Sequence, residues 1–293
     1  MFTRILAAVD DSTRAVQVMA AARALAERTG GSLIALRVRA TALADASPTA
    51  RDVDLAEETR ILREQGLAAH YLLHDGSPER QIIETAELQH ATLIVMASRR
   101  VGPRILPGRR MTARLASAAP SPVLTLPEAD PNDARPALFM AEGAAIVVAL
   151  DGSELAERAL PYAVDLARLL HGSLALIYVA APVLSPAEEA EGWAYVRAAR
   201  RRLRAAAPDL TVDAQVVTGA PVDQLLFAAE GRRAAAIVLT ARGKSGPGSQ
   251  RVSHIALEAL NRARVPMLVI PARALAGAWE HPPASDEVEA PQP

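Results

Sequence analysis

The 293-residue sequence contains no cysteine, which excludes a disulfide scaffold, a zinc–thiolate centre and a cysteine nucleophile. Aromatic residues are scarce, at 3% against 51% hydrophobic residues. The core must therefore come from Ala, Leu, Val and Ile, the material of parallel sheets covered on both faces. Neither sign of charge dominates: 32 Lys and Arg face 33 Asp and Glu, and a general polyanion binder would show a basic excess. No apolar run approaches the roughly 18 residues of a membrane-crossing helix. The stretch Ile5–Val9, closed by Asp10-Asp11, is too short for a secretory signal. A soluble cytoplasmic protein is the expectation, with neither a membrane nor a specific nucleic acid as partner.

What the chain does have is self-similarity. Ile5-Leu6-Ala7-Ala8-Val9-Asp10-Asp11-Ser12 reappears as Ile146-Val147-Val148-Ala149-Leu150-Asp151-Gly152-Ser153, an offset of 141 residues. The offset is 143 between Gly76 and Gly219, and 144 between Pro122-Val123-Leu124 and Pro266-Met267-Leu268. So small a drift across a whole domain marks a duplication. Two domains follow, 1–127 and 144–272. The linker between them, 128–143, holds Pro131, Asn132, Asp133 and Pro136, and a tail, 273–293, rich in Pro and acid, is expected to be disordered.

Each copy alternates strands and helices. In the second, Ala145–Leu150 is a short apolar run that reads as a buried strand. Ser153 suits a helix N-cap, and Leu155, Ala159, Tyr162, Ala163, Leu166 and Leu170 share one face of a helix ended by His171-Gly172. Leu174–Val179, Val212–Val217, Ala236–Thr240 and Met267–Ile270 read as further strands, with helices opening at Pro186, Pro221 and Val252. Such alternation predicts an α/β fold: two tandem flavodoxin-like or Rossmann-like domains, each a five-stranded, mostly parallel sheet with helices on both faces. Ligands of these sheets bind beyond the carboxyl ends of the strands, where strand order reverses. That directs attention to the loops after strand one (Asp10, Asp151) and strand four (Ser98, Arg242).

Three segments carry a resemblance. Ile146–Glu154, Val217-x-Gly219-x-Pro221 after strand three, and Val265–Ile270 at the end resemble the universal stress protein family. Both halves show such segments in order, over nearly all of 3–127 and 144–271. The resemblance implies a tandem two-domain member with a stress-response role. It also implies pairing of the two fifth strands, Val123–Leu126 and Met267–Ile270, as an internal pseudo-dimer, with homodimerisation left open.

Many members of that family bind ATP, through a loop Gly-x2-Gly-x9-Gly-Ser/Thr after strand four and an Asp ending strand one. Glycines let backbone N–H groups approach phosphate oxygens, and the loop feeds a helix N-terminus that favours anions. The second copy keeps Gly243-Lys244-Ser245-Gly246, but Ser253-His254 stand where the later Gly-Ser belongs, after six intervening residues rather than nine. The candidate set in domain 2 is thus Asp151, Gly152, Val179, Gly243, Gly246, Ser253 and His254. Its ligand would be ATP or another adenine nucleotide, with Mg²⁺ only as the companion of ATP. In the first copy Arg100 occupies the first glycine position and Arg109-Arg110 the later pair. The matching set, Asp10, Val38, Arg99, Arg100 and Gly102, is degenerate, and binding of ATP in the family manner is not expected there.

The same loop of domain 1 holds Arg99, Arg100, Arg104, Arg109, Arg110 and Arg114, with no acid from 97 to 114. Two readings stand: an anionic partner docks on this loop, making the protein an interaction module, or the loop is a solvated face balanced by Asp10, Asp11 and the acids of 52–58. No complete catalytic constellation is present. Gly243-Lys244-Ser245 lacks the upstream glycine of a Walker loop, and no nucleophile elbow occurs. Asp10-Asp11 has no strand-five Lys to complete a receiver-type Mg²⁺ site. His70 and His74 fall on a strand, without further metal ligands. An enzyme is not expected, beyond slow ATP hydrolysis at most.

Overall fold

A computed structural model of the chain describes residues 1–39, 47–98, 107–127, 141–180, 185–243 and 252–275, apart from the side chains of 107–110 and 275. Domain 1 runs β1 (Arg4–Val9), α1 (Ala15–Thr29), β2 (Ser32–Arg39), α2 (Ala50–Glu64), β3 (Ala68–Asp75), α3 (Pro78–Leu88), β4 (Leu93–Ala97), α4 (Pro107–Ala118) and β5 (Val123–Leu126). Domain 2 repeats the order: β6 (Ala145–Leu150), α5 (Glu154–Glu157), α6 (Leu160–Leu169), β7 (Ser173–Ala180), α7 (Pro186–Ala206), β8 (Val212–Thr218), α8 (Pro221–Gly231), β9 (Ala236–Thr240), α9 (His254–Arg262) and β10 (Met267–Ile270).

Local chemistry starts the helices where they start. Thr49 with Asp52, and Ser185 with Glu188, form capping boxes at α2 and α7, satisfying orphan N–H groups of the first turn. Pro78, Pro186 and Pro221 sit at first helical positions, where the missing N–H costs nothing. The helix expected from Ser153 to His171 is broken in two. Pro161 lies in the first turn of α6; it cannot donate to a preceding turn, so α5 ends before it. Nor does Gly172 supply the left-handed helix end. His171 does, at φ +48°, while a Cβ on Gly172 would stand 2.1 Å from the Ala144 carbonyl oxygen. Domain 1 divides the tasks identically between Gly30, at φ +60°, and Gly31, whose Cβ would lie 2.2 Å from Thr3 O. The helix expected from Val252 starts at His254, with Ser253 as its N-cap.

Within each domain every strand pairing is parallel, and the order is the 3-2-1-4-5 of the Rossmann half-fold rather than the flavodoxin order. The two sheets join into one of ten strands, β3-β2-β1-β4-β5-β10-β9-β6-β7-β8. The joint is antiparallel: Val123 faces Val269, Leu124 faces Leu268 and Thr125 faces Met267. Leu124 and Leu268 are equivalents in the duplication, so the pseudo-twofold axis passes through their pair. Both joining strands are buried along their whole length, which hides two edges that would otherwise invite pairing with other chains.

One face of this sheet carries a single apolar cluster that crosses the joint. It links Phe2, Leu25 and Leu55 of domain 1 with Ile146, Leu166 and Leu203 of domain 2. On the other face α3 and α4 cover domain 1, and α8 and α9 cover domain 2. Each large side chain so buried contributes about 1.5–3 kcal/mol. A 3₁₀ turn, Ala272–Leu275, begins the segment read as a tail. It is tied down by Tyr162 Oη donating to Ala274 O at 2.9 Å and by an Arg273–Glu87 ion pair; residues 276–293 lie outside the described residues.

Candidate functional site

In domain 2 the strand order reverses between β6 and β9, and a cleft opens at their carboxyl ends. Ala149, Ile177, Val179, Leu239, Pro221, Leu225, Ile255 and Ala256 make apolar walls. Asp151, Thr240, Arg242 and Ser253 bring polar groups to the same space, beside Gly243. A mostly apolar crevice with a few converging polar groups is the usual make-up of a small-molecule site.

The aspartate first organises its own loop. Gly152, at φ +82°, turns the chain so that the N–H and hydroxyl of Ser153 donate to Asp151 Oδ1 at 3.0 and 2.6 Å. The Ser153 oxygen then accepts from Ala156 N and starts α5. The other carboxylate oxygen, Oδ2, stands 2.1 Å from where a Cβ on Gly243 would lie. Glycine is therefore required at 243 by the aspartate itself, before any ligand is considered.

Ser253 is equally committed. Its N–H donates to Ala241 O at 2.8 Å, and its hydroxyl oxygen accepts from Ala256 N at 3.1 Å. Helix α9 thus begins directly against the end of β9. Arg242 is the exception among these groups: its Nε is buried and has no hydrogen-bond partner among the described residues. A buried donor without an acceptor is uncommon and needs an explanation.

Across the sheet, under α7, domain 2 packs rings. Tyr178 and Tyr195 lie with centroids 5.7 Å apart, and Gly192 leaves room for them, since its Cβ would sit 3.0 Å from Tyr178 Cε1. The Tyr195 hydroxyl is buried close to Glu157, with no hydrogen bond of good geometry among the described residues. Burial above all, and then the charge of Glu157, hold its pKa well above the ordinary value.

Domain 1 builds the same frame and fills it differently. Ser12 N donates to Asp10 Oδ1 at 3.0 Å, repeating the turn of domain 2. Asp11 replaces Gly152 and pairs with Arg37, the β2 counterpart of Tyr178. Arg37 is 4% exposed and reaches Asp52 Oδ1 at 2.6 Å and Thr49 Oγ1 at 2.7 Å. Tyr71 Oη donates to the same Asp52 oxygen at 2.7 Å. Burial alone would raise the pKa of Asp52, but hydrogen bonds from Thr49 and Tyr71 and the charge of Arg37 outweigh it and bring the value down. After β4, Ser98 holds the place of Ala241. Its carbonyl accepts from the Arg14 guanidinium at 3.0 Å, whereas the domain 2 carbonyl accepts a backbone N–H. A cationic side chain therefore stands at the switch point of domain 1.

Of the candidate residues, Asp151, Val179, Gly243 and Ser253 meet at the domain 2 cleft, and Gly152 shapes its rim. The His254 side chain is 89% exposed, beside Glu258, and does not line it. Asp10 ends β1, and Val38 packs against the cluster containing Ile34 and Leu36. Gly246, Arg99, Arg100 and Gly102 lie outside the described residues. His74 Nδ1 donates to Gln81 Oε1, 3.0 Å away, on the neighbouring α3. Arg242 was marked in the sequence as the loop position after strand four, but neither it nor Thr240 nor the walls Ile177, Leu225 and Leu239 stood among the candidate residues. The alternation of Ile177 and Val179 on one strand face was the signal for one wall; no sequence signal marks the unpartnered Arg242 nitrogen. Among the described residues no group of three or more His, Asp and Glu is arranged to hold a metal, and no helix is long and apolar enough to cross a membrane.

The fold and the paired switch points define a tandem α/β protein with small-molecule-site geometry in its second half. The family model for universal stress proteins matches residues 1–127 and again 144–271, and the chain belongs to that family. A universal stress protein from Archaeoglobus fulgidus is 21% identical, covers 92% of this chain and 98% of its own, and superposes with a TM-score of 0.65. A functionally unknown protein from Pseudomonas aeruginosa is 19% identical over 92% of this chain and 93% of its own, with a TM-score of 0.68. The cytoplasmic domain of a prokaryotic cation chloride cotransporter shares the fold at 14% identity, 94% and 99% coverage and a TM-score of 0.60. No curated protein matches the chain.

Proposed function

We propose that the protein is a nucleotide-responsive member of its stress-response family, with domain 2 as the receptor for an adenine nucleotide and domain 1 as its structural partner. The observation that carries this reading is the apolar crevice at the β6–β9 switch point, with Asp151 and Arg242 at its polar end. Ile177, Val179 and Leu239 offer flat apolar contact to a base, and the start of α9 offers N–H groups to an anion. Hydrolysis is not part of the proposal: among the described residues Asp151 is the one carboxylate lining the cleft, and its Oδ1 accepts from Ser153. Docking of an anionic partner through the Arg-rich loop 99–114 rests on arginines whose side chains lie outside the described residues, apart from Arg114, which pairs with Glu79 at 2.8 Å.

Mass spectrometry of gently purified, then denatured, protein should release an adenine nucleotide, and millimolar adenine nucleotide should raise Tm. Protein that carries none and shows no thermal shift with any adenine nucleotide would remove the reading. Gly243→Val pushes Asp151 aside and should abolish the shift while the fold persists by circular dichroism.

A further inference from the structure

We infer that helix α7 is a docking surface for a second copy of this chain, which pairs with it antiparallel about a twofold axis at Ala194. The surface is distinct from the β5–β10 joint and independent of the nucleotide reading.

α7 lies at one end of the molecule. It packs on β8, an edge strand of the ten-stranded sheet, and Arg200 Nε donates to Val212 O at 2.9 Å across that contact. Gly192, Val196, Ala199 and Leu203 form its buried side. Ala190, Ala194, Arg197 and Arg201 recur at steps of four, three and four residues and are exposed on the other side.

Charge is divided along this helix. Residues 186–195 carry Glu188, Glu189 and Glu191 with no Lys or Arg, whereas 196–206 carry Arg197, Arg200, Arg201, Arg202 and Arg204 with no acid. The helix dipole accounts for acids in the first turn and bases in the last, which here are Glu188, Glu189 and Arg204. Glu191, Arg197 and Arg201 lie further in, and the two arginines stand four apart, a repulsive spacing. Neighbouring ion pairs join Arg202 to Glu157 and Arg168 to Asp209. Glu189, Glu191, Arg197 and Arg201 take part in no ion pair among the described residues. The counterpart helix of domain 1, α2, answers its own charges, since Arg60 pairs with Glu57 and Glu64.

A helix charged in this way complements itself when reversed. With the two Ala194 residues opposite each other, Glu191 of one copy faces Arg197 of the other, each three positions from the axis. Glu188 and Glu189 fall opposite positions 200 and 199, within reach of Arg200 and Arg201. Each contact occurs twice by symmetry, and Ala190, Ala194 and Ala198 leave room for the helices to approach closely. Exposed ion pairs are individually weak and are screened by salt, so the association is weak and salt-sensitive.

Sedimentation velocity of the full chain at high protein concentration tests the pairing. The association constant should fall at least about tenfold between about 0.05 and 0.5 M salt. Arg197→Glu with Arg201→Glu, and separately Glu189→Arg with Glu191→Arg, should each give monomers, because like charges then meet. Mixed together, the two variants should form a heterodimer within about threefold of the natural affinity, which also reports that both are folded. A second readout uses the absence of cysteine from the chain: Ala194→Cys should cross-link to a dimer under mild oxidation in low salt, and Ala56→Cys on α2 should not. A natural chain that stays monomeric at every salt concentration would overturn the inference. So would a dimer that survives either charge reversal, or equal cross-linking through positions 194 and 56.

Discussion

Domain 1 and domain 2 share a backbone frame and disagree about what occupies its carboxyl edge. Both end their first strand in an aspartate that folds its own loop through a serine, Ser12 or Ser153. Both set a glycine, Gly31 or Gly172, against the carbonyl of a neighbouring segment. Beyond that frame the copies part. Where domain 1 buries Arg37 against Asp52, domain 2 packs the tilted rings of Tyr178 and Tyr195. Where domain 1 closes its strand-four carbonyl with the Arg14 guanidinium, domain 2 uses Ser253 N–H and keeps an apolar crevice beside it. Backbone geometry thus survives duplication through a few close contacts, while a handful of side chains decides how the carboxyl edge of each copy is filled.

The comparison can be broken most forcefully at the buried pair. Asp52→Ala leaves the Arg37 charge buried with only the exposed Asp11 to answer it, and should cost about 3–5 kcal/mol in urea unfolding. The matching change in domain 2, Tyr195→Phe, removes a buried hydroxyl with no well-formed hydrogen bond among the described residues, and should shift stability by less than about 0.5 kcal/mol. Equal effects would mean that the two copies are held together alike. Next come the shared contacts: Gly31→Ala and Gly172→Ala each force a Cβ onto a backbone oxygen, and each should cost about 1–3 kcal/mol, similar in the two domains.

A smaller effect is expected with pH. The pKa of Asp52 is lowered in the folded protein, so the folded state holds its carboxylate more firmly than the unfolded chain does. The resulting stability is complete above the unfolded value, about 3.9, and is lost as pH falls through the folded one. Acid titration of urea stability should therefore show a steeper loss below about pH 4 in the natural chain than in Asp52→Asn. Parallel curves would show that Asp52 does not contribute.

The repeat was legible because strand ends and turn residues recur at nearly fixed offsets. Ala236–Thr240 and Met267–Ile270 were readable to the residue, as short apolar runs bounded by turns. The fifth-strand joint followed from the family resemblance rather than from any pattern in Val123–Leu126. Boundaries governed by tertiary contact were harder. A left-handed His171 beside a glycine needed for close approach inverts the usual expectation, and Pro161 splits a helix whose apolar face runs on unbroken. At the site, Asp151 and Gly243 were legible as types at the right places, yet their partnership with each other was not. A glycine excluded by an aspartate and one excluded by a phosphate look alike in sequence. Arg242 was legible as the loop position after strand four, but its unmet hydrogen bond was not, because that is a property of the folded surroundings alone.

The central claim is that one copy binds and the other does not. Calorimetric titration of the full chain with ATP and with AMP, in the natural sequence and with a mirrored pair of changes, tests it most directly. One equivalent should bind per chain; Val179→Trp in the domain 2 wall should abolish binding, and Val38→Trp at the matching place in domain 1 should leave it intact. Two equivalents per chain, or binding lost through Val38→Trp and kept through Val179→Trp, would contradict the account.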